Sequence, residues 1–198
     1  KAVQHDLRKE GSITETITAN IPDNKYMTNI EFTNTLKLKP VEDLAIDVIR
    51  FVLSNRYQNI IREDEGGAYG VNVAASYNAY PTHTQAIAVN FQSNTEKGDR
   101  MRAIVHEQID KLVAEGVNEE DVEDMVLMMK KGRANMLENR GNAHWQEALR
   151  YYAETGKDID SPVMFEKPIE KLNAKVVHEV AKKFFGSATC VDIVIRSK

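Results

Sequence analysis

Arg62, Gly66, Gly67 and Tyr69 crowd into one short stretch, Ile61-Arg62-Glu63-Asp64-Glu65-Gly66-Gly67-Ala68-Tyr69-Gly70. A guanidinium offers a planar fork of donors, and a phenol offers one more. A Gly-Gly pair lets backbone approach a ligand closely and takes positive φ without penalty. Such a set suits gripping a carbonyl from two directions. The same residues also have a purely structural reading. An arginine at a helix end satisfies the last carbonyls, and tyrosine is a good strand residue. Residue chemistry leaves both readings open.

Other reactive groups are dispersed. His5, His83, His106, His144 and His178 include no pair three to five residues apart. No H-E-x-x-H or H-x-x-E-H motif is present, so no local ligand set of the kind a zinc hydrolase needs is written in the chain, although distant histidines could converge in space. Ser161 precedes Pro162 in a turn and lacks a G-x-S-x-G elbow. Cys190, the sole cysteine, sits between Thr189 and Val191, where a free cysteine is expected to pack. Gly66-Gly67 lacks the further glycines and lysine of a phosphate loop. The acidic run from Asn118 to Asp124 reads as a charged helix start, favoured by the helix dipole. Trp145, Leu149 and Tyr152 follow helical spacing and read as helix core.

The elements that must position these groups follow from patterning. The chain has 198 residues and a net charge of −4, with 42% hydrophobic and 28% charged residues. That composition is globular, with no basic stripe for nucleic acid. No apolar run approaches the ~20 residues of a membrane span. The polar start has no signal-peptide core. With no initiator methionine, the chain reads as a piece of something longer or a processed product. Residues 1–20 read as a connecting arm with one edge strand at Ser12–Ala19, and 21–198 as a single domain.

Alternation predicts strands from Tyr26 to Thr33, Tyr69 to Tyr77, Gln85 to Phe91 and Val191 to Ile195. Three-four spacing predicts a helix from Pro40 to about Arg62, ended by Gly66-Gly67. Further helices are expected from Met101 to Gly116, from an Asn118 cap to Met136, across Trp145 to Gly156, and from Val176 to Gly186. Strands and helices are partly segregated. The expected fold is α+β, a mixed or antiparallel sheet of about four to five strands with helices on one face.

Leu53-Ser54-Asn55-Arg56-Tyr57-Gln58-Asn59-Ile60-Ile61-Arg62-Glu63, followed by Gly66-Gly67-Ala68-Tyr69-Gly70-Val71, resembles the C-terminal domain of insulinase/pitrilysin-family zinc metallopeptidases of the bacterial zinc protease type. Asn90-Phe91, Asn118-Glu119-Glu120-Asp121 and Asn142-Ala143-His144-Trp145 add to the likeness, which runs from about Gly11 to the end. The resemblance implies a repeat domain like those of the mitochondrial processing peptidase, paired with others around a closed chamber. It implies that Tyr69 stabilises the oxyanion and that Arg62 positions a substrate carbonyl. Gly66 and Gly67 would keep the peptide-binding corner low. Zinc would be bound by an N-terminal domain or chain of the same enzyme, none by this segment, which alone is expected to be inactive. Peptide is the implied substrate, and the bacterial cell envelope or periplasm the implied location. The alternative is a non-catalytic structural or partner subunit of the same fold, like the core proteins of respiratory complexes.

Overall fold

A computed structural model describes residues 11–21, 23–60, 68–78 and 82–198. Their order is β1 (Ile13–Ala19), β2 (Lys25–Asn34), α1 (Pro40–Tyr57), β3 (Ala68–Asn78), β4 (Thr84–Asn94), α2 (Thr95–Glu115), α3 (Glu119–Glu138), α4 (Asn142–Thr155), α5 (Glu166–Ile169), α6 (Ala174–Phe185) and β5 (Thr189–Ser197). The strands form one sheet in the order β1-β5-β2-β4-β3. β1 runs parallel to β5, and every other pairing is antiparallel. Strands β2 and β3 flank β4 and are joined through α1, the arrangement of a split βαβ unit. The α+β class read from the sequence is the one adopted. The edge strand expected at Ser12–Ala19 is β1.

Period-two patterning gives the sheet its two faces. Tyr26, Thr28, Ile30 and Phe32 of β2 are buried, as are Ile87, Val89 and Phe91 of β4, Val71 and Val73 of β3, and Val194 of β5. Register holds these on one face, since Ile30 sits opposite Val89 and Thr28 opposite both Phe91 and Val194. Helices α1, α2 and α6 cover that face, meeting one another as well as the strands. The other face carries Asn29, Asn72, Ala74, Ser76 and Gln92, all exposed.

Local signals set the helix starts. Glu42 Oε2 accepts from the Lys39 backbone N–H at 2.7 Å, and Pro40 occupies the first turn of α1. Asn94, Asn118 and Asn173 cap α2, α3 and α6, each side chain accepting a backbone N–H three residues on. These side chains satisfy donors that a helix start leaves free.

One expectation is overturned. Trp145, Leu149 and Tyr152 do form a helical stripe, but it is 50%, 71% and 62% exposed, and α4 has no buried residue. Helical spacing shows that these residues share a face. It does not show which way that face turns, and α4 lies outside the layer that covers the sheet. The one-turn helix α5 had no sequence signal beyond the turn at Asp160-Ser161-Pro162.

Candidate functional site

The end of α1 is pinned before the chain reaches the Arg62 segment. Tyr57 Oη donates to the Val105 carbonyl of α2 at 3.1 Å, and Arg56 Nη2 donates to the Gly116 carbonyl at 3.1 Å. A π-type turn follows at 58–60. Residues 61–67, with Arg62, Gly66 and Gly67, lie outside the described residues, and so does the side chain of Tyr69. The Tyr69 backbone belongs to β3, which is an edge of the sheet.

The start of β3 is irregular. Val71 pairs with Phe91, yet Ala68 pairs with Ser93, so β3 carries one residue more than β4 over this stretch. Without that shift Tyr69 would pair with Ser93, in phase with buried Val71 and Val73. With it, Ala68 takes that place. Bulges of this kind re-aim strand positions and occur at sheet edges beside functional sites.

A second constellation went unread in the sequence. Asp192 on β5 is 2% exposed. Arg102 Nε donates to both of its carboxylate oxygens at 2.9 Å, and His106 Nε2 lies 2.9 Å from Oδ2. Burial alone would raise the Asp192 pKa. The hydrogen bonds from His106 and Arg102 outweigh burial and hold it below the ordinary carboxylate range. Two signals were available: Asp192 shares the alternation phase of buried Val194, and Arg102 and His106 stand one turn apart on α2. Cys190 lines the same cavity of about 580 Å³. Burial, with Asp192 adding to it, pushes its thiol up to about 11. That is the opposite of an activated nucleophile, and agrees with Cys190 as a packing residue.

A larger cavity, about 600 Å³, lies between the start of α1, the end of β3, and α3 with the segment that follows α4. Arg133 of α3 secures its wall. Nε donates to Glu166 at 3.0 Å, Nη1 to the Asp160 carboxylate at 3.2 Å, and Nη2 to the Asp160 carbonyl at 3.0 Å. Asp160 is also met by Arg140 at 3.2 Å and His144 at 3.0 Å. His144 therefore has a structural partner, which its spacing alone did not reveal.

Among the described residues no group of three His, Cys, Asp or Glu side chains stands close enough to hold a metal ion. Nor, among them, is any helix long and apolar enough to cross a membrane.

Residues 6–129 match the family model described as the peptidase M16 inactive domain. No curated protein sequence matches the chain. Solved structures share the fold at low identity. The periplasmic protease PqqL of Escherichia coli aligns at TM-score 0.80 and 14% identity, over 96% of this chain and 21% of that one. The ferredoxin protease FusC, solved as a point mutant in complex with Arabidopsis ferredoxin, aligns at TM-score 0.81 and 13% identity, over 100% of this chain and 22% of that one. A peptidase M16 inactive domain from Pseudomonas fluorescens aligns at TM-score 0.70 and 13% identity, over 95% of this chain and 44% of that one. The chain thus spans about a fifth of the length of the two proteases.

Proposed function

The chain belongs to the M16 peptidase family, within its inactive C-terminal domain class, and we propose that it is the substrate-binding, site-completing domain of a zinc metalloendopeptidase that degrades peptides in a closed chamber. The observation that carries this reading is the Arg62-to-Tyr69 segment leading into edge strand β3 where its register shifts by one residue. An exposed strand edge has free backbone donors and acceptors, which suit an extended peptide.

In this reading Tyr69 donates its phenolic hydrogen to the oxyanion that develops on the scissile carbonyl. Arg62 donates to a neighbouring peptide carbonyl and keeps the chain extended. Gly66 and Gly67 bring the backbone low enough for the peptide to pass. In this reading zinc belongs to an N-terminal domain or chain of the same enzyme, which would supply the activated water. The structure named as the periplasmic protease PqqL supports a cell-envelope location.

The test is Tyr69→Phe in the longer protein, assayed with an unstructured peptide. Loss of one oxyanion donor costs about 10²–10³ in kcat, or about 2.7–4 kcal/mol. KM should change little. Unchanged turnover would remove Tyr69 from the mechanism. The description of the matched domain as inactive also supports a second reading, a structural or partner subunit of the same fold. An H-x-x-E-H motif elsewhere on the polypeptide, or in a neighbouring gene, favours the peptidase. Absence from both favours the structural role.

A further inference from the structure

The helical backbone of α1 does not stop at Tyr57. It runs on through the π-type turn to Ile60, two residues short of Arg62. Three contacts fix that stretch. Arg56 reaches the Gly116 carbonyl, the fully buried Tyr57 reaches the Val105 carbonyl, and Ile60 packs against the core. The acceptor that Arg56 uses is itself held. Gly116 closes α2 at φ +83°, and a Cβ there would come within 2.9 Å of the His178 ring. That ring is fixed in turn, its Nε2 lying 2.8 Å from the Val113 carbonyl.

Stability accounts for part of this arrangement. Arg56 stands in the last turn of α1 and meets the end of α2, so one cation serves two helix C-termini. A lysine would supply that charge as well. The guanidinium brings a further arm, and here that arm is a liability: Nη1 is buried and has no hydrogen-bond partner among the described residues. A buried donor without an acceptor destabilises the fold. What the planar fork gives in return is orientation, since its donors are rigid where an ammonium rotates on a flexible stem. Irregular backbone stands on both sides of the Arg62 segment, the π-type turn before it and the register shift of β3 after it. Both kinds of irregularity concentrate at functional sites. This end of α1 is arranged for placement, at some expense in stability.

We infer that Arg56 is a positioning residue for the proposed peptidase reaction: its hold on the Gly116 carbonyl sets where the end of α1 delivers Arg62. The inference rests on the peptidase reading given above and deepens it. Arg56 touches no substrate. It acts through Arg62, six residues on in the chain, and has no part in what Tyr69 does.

The experiment is a set of double-mutant cycles in the longer protein, assayed with a quenched-fluorescence unstructured peptide. Arg56→Lys keeps the charge and loses the fork. It should lower kcat/KM by about tenfold to a hundredfold, the scale of a small misplacement of a substrate-positioning group. In an Arg62→Ala background the same change should have no further effect, because the group it positions is gone. In a Tyr69→Phe background it should keep its full factor. A merely structural role would give the same factor in every background. Urea unfolding of this chain checks that Arg56→Lys remains folded. If it does not, Tyr57→Phe, which removes only the bond to the Val105 carbonyl, takes its place in the same cycles. Unchanged kcat/KM, or an equal loss in all three backgrounds, would overturn the inference while leaving the peptidase reading intact. Full turnover in both Arg62→Ala and Tyr69→Phe would overturn the peptidase reading, and this inference with it.

Discussion

Asp43 and Asp192 show how placement decides what a carboxylate does. Asp192 has Arg102 and His106 beside it, and Asp43 has no cation in ion-pair range among the described residues. The consequence for stability has a definite sign. With its folded pKa at about 6 and an unfolded value of about 3.9, Asp43 holds its proton more tightly when folded. Its contribution is most favourable below the unfolded value and is lost as pH rises through about 6. Asp43→Asn should therefore stabilise the chain at neutral pH by about 1 kcal/mol, less than the full shift would give because the group is partly solvated. The gain should fade towards pH ~4. Urea unfolding at the two pH values measures it. The Asp192 carboxylate has the opposite sign, since its depressed pKa gives stability above the unfolded value that is lost as pH falls through the folded one. Sequence could name Tyr69 and Arg62 because they sit close together in the chain. It could not name Asp43 with Tyr151, or Asp192 with Arg102, because only folding brings those pairs together.

Helix and strand interiors were legible because each carries its own period, and helix starts because the caps are local. Asn118 was read as a cap, and its side chain accepts from the Asp121 N–H at 2.7 Å. Contacts between elements were not legible. Gly98 looks like an indifferent residue in the first turns of α2, yet a Cβ there would run into the Tyr26 ring. The absence of a side chain lets Tyr26 lie close under α2, with its hydroxyl donating to Asp99 at 2.6 Å. Tyr26 is 1% exposed, so the ring has nowhere to retreat. Gly98→Ala should cost about 1–3 kcal/mol despite alanine's better helix propensity. A lower urea midpoint with an unchanged slope would be its signature; an equal or higher midpoint would show that α2 can slide away from β2.

Across the whole molecule, the direction in which the α4 stripe faces is a tertiary fact. A core leucine truncated or charged costs several kcal/mol, typically about 2–5 for removal to alanine. A surface one stays within about ±0.5 kcal/mol. Leu149 is 71% exposed, so Leu149→Glu should leave the stability of this chain within that narrow band, as read by denaturant unfolding. A loss of several kcal/mol would mean that α4 packs inward after all. By itself the sequence determined the α+β class, the alternation of the four longer strands, the principal helices and the family resemblance, because hydrophobic period, capping and a contiguous motif are written along the chain. Only the tertiary structure decided the strand order β1-β5-β2-β4-β3, the one-residue shift at the start of β3, the outward turn of Trp145, Leu149 and Tyr152, and the meeting of Asp43 with Tyr77 and Tyr151 around a cavity. Each of these depends on which distant elements pack together, and the free energy of that choice is shared among many residues that no local window contains.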